Sequence, residues 1–206
     1  NKIFIISHYG RPKGKVNDKL SLYFLCEELR KKLKVSKIHF LKTFNKQDIK
    51  KKQSEMDEGD VCLFENIRFY KEEEINEINF SKNLSSHFEI YVNDAFSCSH
   101  RNHSSIVGIP KFLPSFAGLN FTKEINNLNN FLNKAKKPNL AIIGGSKIST
   151  KIKVIYNLIN FFDSIVIGGA MANTFLLALK IDIGKSFYEK DFIKVAKDIL
   201  NKAKSE

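Results

Sequence analysis

Apolar positions along this chain change their period in a regular way. A short apolar run at residues 2–7 predicts a strand, and the Gly/Pro-punctuated stretch 8–18 a loop. Leu22, Leu25, Leu29 and Leu33 then recur at spacings of three and four, which predicts a helix over 20–33 with those leucines on one face. A strand, a short basic helix and a buried strand follow at 36–41, 45–53 and 60–65, then a helix at 76–86 and a strand at 88–93. Strands alternating with helices across short polar loops predict a parallel α/β sheet.

The segment Lys111-Phe-Leu-Pro-Ser115 interrupts this rhythm. After it, Phe121, Ile125, Leu128 and Leu132 form a helical stripe with asparagines on the other faces, closed by Lys136-Lys137-Pro138. A second series starts there, with a strand at 139–143, a helix from Ser149, a strand at 164–167, a helix from Met171 and a last helix at 189–204. The pattern predicts two α/β regions joined by one connecting helix. The second region supplies only two strands, and a parallel sheet needs both faces covered. An amino terminus that lacks Met and opens on a core strand adds to the expectation of a fragment cut at both ends.

Composition narrows the function classes. No run of 18 apolar residues exists, which excludes a transmembrane helix, and the apolar stretch at the amino terminus is too short for a signal-peptide core. Cys26, Cys62 and Cys98 show no CxxC spacing, so neither a disulfide framework nor a zinc ribbon is expected, and the default setting is the reducing cytoplasm. The net charge of +12 invites a nucleic-acid reading. It is spread along the chain, however, as +7 over residues 1–60, −2 over 61–115 and +7 over 116–206. Lysine, isoleucine and asparagine are abundant together, as global compositional drift produces.

Arginine placement is more informative. Lysine outnumbers it 30 to 4, so lysine is the default cation, and arginine marks places where its planar fork matters. Three of the four arginines, Arg11, Arg68 and Arg101, lie in loops that follow a predicted strand, two of them beside His8, His100 and His103. Loops at the carboxyl ends of strands in an open α/β sheet gather along one edge, where ligands bind. Together they predict a cradle for a small phosphorylated acid. The structural alternative is an ordinary salt bridge for each, such as Arg68 with Glu65 or Glu72.

Further on, Asn139-Leu-Ala-Ile-Ile-Gly-Gly-Ser-Lys-Ile-Ser-Thr-Lys151 reads as a strand, a glycine pair and a helix start, with Lys147 and Lys151 on one helical face. A second strand–Gly–Gly turn, Ile165-Val-Ile-Gly-Gly-Ala-Met171, is expected beside it. Phosphate binding competes here with tight helix–sheet packing as the reason for the glycines. A rival constellation, Cys98, His100 and His103 with Asp94, has the residue types for zinc or thiol chemistry but too few partners elsewhere.

Five ordered motifs then resemble one family: Ser7-His-Tyr-Gly-Arg-Pro-Lys-Gly14; Glu65-Asn-Ile-Arg-Phe69 followed by Glu72-Glu-Glu74; Val92-Asn-Asp-Ala-Phe96 with His100-Arg101; Gly144-Gly-Ser-Lys147; and Gly168-Gly-Ala-Met-Ala172. They are similar to those of phosphoglycerate kinase, and the resemblance covers essentially the whole chain. It implies two Rossmann-like parallel-sheet lobes joined by an interdomain helix, the second lobe truncated. The lobes would be residues 1–118 for 3-phosphoglycerate and 138–206 for the start of the nucleotide lobe, with 119–137 connecting them.

The implied reaction is reversible phosphoryl transfer between 1,3-bisphosphoglycerate and ADP, giving 3-phosphoglycerate and ATP. By motif position, His8, Tyr9, Gly10, Arg11, Arg68, His100 and Arg101 would bind 3-phosphoglycerate. Gly145, Ser146, Lys147, Lys151 and Gly169 would line the nucleotide site, with Lys147 following the transferred group. Mg2+ would arrive with ADP or ATP, its aspartate ligand lying in a Gly-Gly-Asp-Thr loop outside this chain. A cytoplasmic monomer with small-molecule partners, no nucleic acid and no membrane is implied, inactive as the isolated 206 residues. The alternatives are a phosphate- or nucleotide-binding fragment without turnover and a basic nucleic-acid-binding protein.

The chain departs from the family pattern in several places. Ser97-Cys98-Ser99 replaces a usual Gly-Thr-Ala, Asn102 replaces Ala, and Ala170 replaces the third glycine of a Gly-Gly-Gly turn. Thr150 stands where many members have Asp, and the opening Asp-x-Asn-x-Pro segment is missing.

Overall fold

A computed structural model describes residues 1–35, 37–134 and 136–205. Ser36, expected to open the second strand, lies outside these residues, as do Ala135 of the expected connecting segment, Glu206 and the side chain of Leu132. The chain divides into two compact units, residues 1–125 and 126–206.

In the first unit, strands β1 (Ile3–Ile5), β2 (Ile38–Leu41) and β3 (Val61–Phe64) form a parallel sheet in the order β1-β3-β2. The central strand is buried along its whole length, as its unbroken apolar run requires. Helices α1 (Leu25–Leu33) and α2 (Lys46–Glu55) occupy the connections. The start of α2 is set by Asn45, whose Oδ1 accepts from the Asp48 amide at 2.8 Å. A four-residue helix α3 (Lys71–Glu74), α4 (Ile78–Ser85), and a parallel pair β4 (Tyr91–Asn93) with β5 (Ser115–Ala117) complete the unit. Its core joins Phe44, Phe64, Ile49, Met56, Ile67 and Leu84, with Phe44 stacked on Phe64 at 4.5 Å.

Helix α5 (Leu119–Lys134) starts in the first unit. The second unit contains the parallel pair β6 (Leu140–Gly144) and β7 (Ser164–Gly168), helices α6 (Ile152–Ile159) and α7 (Met171–Ala178), and α8 (Ile193–Ser205). Ala141 and Ile143 face a core with Ile148, Ile155, Met171, Phe175 and Ile199, while Leu140 and Ile142 on the other face are exposed. No helix among the described residues is long and apolar enough to cross a membrane.

Two expectations need correction. The helix predicted over 20–33 begins only at Leu25, and its leucine stripe does not hold: Leu22 is 1% exposed in the turn before it, while Leu33 is 47% exposed. The cause is Glu65, which takes the Leu22 amide at 2.8 Å and the Ser21 hydroxyl at 2.6 Å and so holds 21–22 out of the helix. Strand β5, which no expectation covered, begins on the last residue of the interruption at 111–115 and is too short and too exposed to show alternation. The helix expected from Ser149 begins at Ile152, so Lys147 lies in the preceding loop and Lys151 at the cap, not together on a helical face.

Asp94 secures the start of α5 from outside the helix. Its Oδ1 accepts from the Phe121 amide and its Oδ2 from the Asn120 side chain, each at 2.8 Å, and these bonds hold the carboxyl below its usual range. A depressed carboxylate stabilises the fold above the unfolded range and loses that contribution as pH falls through its folded value. In urea melts, Asp94→Ala should be less stable than the parent at neutral pH, and the gap should close in strong acid. A gap that stays constant through the acid range would contradict this linkage.

Candidate functional site

The loop after β1 is fastened to the turn after β3. Asn66 is fully buried, and its Nδ2 donates to the carbonyls of Tyr9 at 2.8 Å and Leu20 at 2.9 Å. Its Oδ1 accepts from the Arg68 amide at 3.1 Å. The Ile67 amide donates to Ser7, the Gly14 amide to Arg68, and Arg68 Nη1 to the Gly10 carbonyl at 3.2 Å. Gly10 has φ +66°, and a Cβ there would meet Leu20 at 2.8 Å, so this approach needs glycine.

The loop after β4 is fastened by Glu73, which is buried. Its carboxylate accepts from the Ser105 amide at 2.8 Å and hydroxyl at 2.6 Å, with His103 Nδ1 at 3.5 Å. The Ser104 hydroxyl donates to the Glu72 carbonyl, and the Asn76 amide donates to Asn102. Arg101 sits in the middle of this clamped loop. His8 is held below its ordinary pKa by burial and by the charges of Arg68 and Arg101. Arg68, only 4% exposed, is lowered by burial and by Arg101. Burial also lowers His103, against Glu73 and with Arg68 and Arg101.

The salt-bridge alternative for these arginines is not what the structure contains. Arg30 on α1 pairs bidentately with Glu27, both bonds at 2.9 Å. Among the described residues, no carboxylate lies within salt-bridge distance of Arg11, Arg68 or Arg101. The Glu65 carboxylate is occupied by Ser21, Leu22 and Asn66. The site therefore concentrates positive charge with Glu73 and Glu74 near it but no carboxylate paired to its arginines among the described residues, an arrangement that suits an anion. His8, Gly10, Arg68 and Arg101 are brought together. Arg11 and His100 are exposed in the same loops, and Tyr9 stacks edge-on against Phe24 at 5.6 Å.

In the second unit the two glycine turns meet. Gly144 pairs with Gly168 across the sheet, and the Met171 amide donates to the Gly145 carbonyl at 3.0 Å. Gly169 has φ +72°, and a Cβ on it would lie 2.6 Å from that carbonyl, so only glycine fits. The loop 146–151 carries exposed Ser146 and Lys147 and half-buried Lys151, whose Cε would lie 3.8 Å from a Cβ on Gly145. Buried Ile148 anchors its middle.

The rival Cys98 constellation is taken apart. Asp94 is engaged by α5, His103 faces Glu73, and His100 is exposed. Among the described residues, no group of three His, Cys, Asp or Glu side chains is arranged to hold a metal ion.

The family model for phosphoglycerate kinase matches residues 1–206. The chain belongs to the phosphoglycerate kinase family. It is 48% identical over 188 residues to the phosphoglycerate kinase of Wolbachia sp. subsp. Drosophila simulans, covering 91% of this chain and 47% of that protein. To the phosphoglycerate kinase of Prochlorococcus marinus it is 42% identical over 206 residues, 100% of this chain and 51% of that protein. The solved structure of phosphoglycerate kinase from Coxiella burnetii superposes with a TM-score of 0.80 at 34% identity, covering 98% of this chain and 51% of that one. The chain spans about half the length of the curated relatives it matches.

Sequence reasoning assigned no role to Asn66 or Glu73, and offered Glu65 only as a salt-bridge partner for Arg68. A polar Glu-Asn pair directly after a fully apolar strand is the signal that marks Glu65 and Asn66, because a buried strand end must satisfy its neighbours' backbone groups. Replacing Asn66 by Ala would orphan two carbonyls and one amide at once. The expected loss is about 3 kcal/mol or more of unfolding free energy, by denaturant titration. A change within about 0.5 kcal/mol, as at an ordinary surface site, would contradict the pinning role.

Proposed function

We propose that this chain serves reversible phosphoryl transfer between 1,3-bisphosphoglycerate and ADP, giving 3-phosphoglycerate and ATP, as part of a glycolytic kinase. The observation that carries this reading is the cluster of Arg68, Arg101 and His8, whose arginines have no paired carboxylate among the described residues and whose loops are fastened by buried Asn66 and Glu73. Membership in the family supports it. Residues 1–118 would bind the acceptor, 119–137 connect, and 138–206 begin the nucleotide-binding region.

Transfer between a carboxyl oxygen and ADP is a direct in-line displacement, so no nucleophilic side chain is required. Arg68 and Arg101, with Arg11 and His8, would hold the triose phosphate by forked hydrogen bonds, and Tyr9, Gly10 and His100 would border it. The glycine pairs at 144–145 and 168–169 leave backbone open to approach by a phosphate, and Gly145, Ser146, Lys151 and Gly169 would contact the nucleotide. Lys147, exposed on its loop, would follow the transferred group and offset the charge that spreads over its oxygens. Magnesium belongs to the nucleotide substrate and supplies further charge neutralisation when bound. This chain's described residues suit the phosphates and not the metal.

Two substitutions in the full-length protein test the reading. Arg68→Lys keeps the charge and loses the fork, and should weaken 3-phosphoglycerate binding by about 1.5–3 kcal/mol with ADP affinity unchanged. Lys147→Ala should lower turnover by about 10²–10³ while weakening ADP binding far less. Lys151→Ala should instead raise the nucleotide KM. Calorimetry and steady-state kinetics read all three. Unchanged acceptor affinity in Arg68→Lys would overturn the cradle, and a proportional loss of ADP affinity in Lys147→Ala would overturn its role in transfer.

A further inference from the structure

The loop 146–151 has little to hold it in its own sequence. It follows two glycines, and the helix after it starts only at Ile152 with no side-chain cap. Two local bonds shape it, from the Thr150 hydroxyl to the Lys147 carbonyl at 3.0 Å and from the Lys151 amide to the Ile148 carbonyl at 2.8 Å. The Ser149 amide and hydroxyl, at the centre of the turn, are satisfied by a residue 40 positions away. Glu189 Oε2 accepts from the amide at 3.0 Å and Oε1 from the hydroxyl at 2.6 Å.

Glu189 is itself fixed. Its amide donates to Thr174 Oγ1 at 3.1 Å, and Thr174 is fully buried on α7. Helix α7 is in turn tied to the glycine turns by the bond from Met171 to Gly145. A closed circuit of contacts thus runs from Gly145 through α7 and Glu189 to Ser149, and back along the loop that carries both lysines.

We propose that Glu189 is a positioning residue that sets where Lys147 and Lys151 present their ammonium groups, by gripping Ser149 between them with both carboxylate oxygens. The inference rests on the nucleotide reading of this loop. It also explains an electrostatic cost. A carboxylate beside a phosphate-binding loop repels the ligand, and its charge interacts with that of Lys147. Burial works to raise the Glu189 pKa, but the bonds from Ser149 and the Ile148 amide, with the charge of Lys147, together outweigh it and lower the value. The two roles predict opposite signs. If Glu189 acts only as a nearby negative charge, removing it tightens nucleotide binding; if it positions the loop, removing it weakens binding.

The test is ADP and 3-phosphoglycerate titration by calorimetry on variants of the full-length protein. Glu189→Ala should weaken ADP binding by roughly tenfold or more, since both bonds to Ser149 are lost and the lysines are displaced. Ser149→Ala removes only the hydroxyl bond and should weaken it by a smaller factor, and the double variant should lose no more than Glu189→Ala alone. Glu189→Gln should recover most of the affinity, its amide oxygen still accepting from Ser149, and 3-phosphoglycerate affinity should stay unchanged throughout. Should Glu189→Ala not fold, Ser149→Ala reads the hydroxyl half of the contact. Tighter or unchanged ADP binding in Glu189→Ala and Ser149→Ala, where Lys147→Ala or Lys151→Ala weakens it, overturns the positioning role alone. Unchanged ADP binding in both lysine variants overturns the nucleotide reading and this inference with it.

Discussion

The buried side chain of Asn66 is where the candidate cationic site is assembled. Three backbone groups, at Tyr9, Leu20 and Arg68, converge on one carboxamide. A carboxamide has both donors and an acceptor, so it can join carbonyls to an amide where a carboxylate or an ammonium cannot. Glu65 beside it handles the complementary task, accepting from the Leu22 and Asn66 amides and the Ser21 hydroxyl. Between them, these two residues fix the loop that bears His8 and Arg11 against the turn that bears Arg68. The positions of His8, Arg11 and Arg68 follow from that junction, while Arg101 depends on the loop that Glu73 holds.

Holding like charges together is unfavourable, and the fold accepts it here. The lowered pKa values of His8, Arg68 and His103 share two causes, burial and each other's charge. Glu73 lies nearby, but its oxygens are bound to Ser105, so it anchors the Arg101 loop and does not pair with an arginine. The contrast with Arg30, paired with Glu27 on an open helix surface, shows that the chain does provide partners where an arginine serves only the surface. Preorganised charge of this kind needs no rearrangement when an anion arrives. The second unit follows the same logic with different parts: glycine turns that approach within contact of each other, and a loop of two lysines held by a carboxylate bound to neither.

Much of this was legible in the sequence, and the rest failed for identifiable reasons. The βα rhythm, the fully buried strand β3 and helix α5 follow from periodicity, because the apolar positions recur over several turns or pleats. The scarcity of arginine pointed to Arg68 and Arg101 without any structure. Leu22 misled because its amide belongs to Glu65, 43 residues away, so an apolar residue at helical spacing sits in a turn. The start of α6 was misplaced for the same kind of reason, since Glu189 claims Ser149 across 40 residues. Strand β5 and helix α3 are too short to carry a period. Local pattern reads local structure, while the contacts that place functional side chains are long-range and leave no periodic trace.

The central claim is that the first unit holds a cationic site whose arginines have no paired carboxylate among the described residues, suited to a phosphorylated anion, and the imidazole of His8 reports on it directly. Its pKa can be followed by NMR titration with and without 3-phosphoglycerate. The account predicts a value below the ordinary 6.5 in the free protein, because burial, Arg68 and Arg101 all oppose its charge. It predicts a rise when 3-phosphoglycerate binds, because the anion offsets that field. A His8 imidazole that titrates at its ordinary value and does not move on adding 3-phosphoglycerate would contradict it.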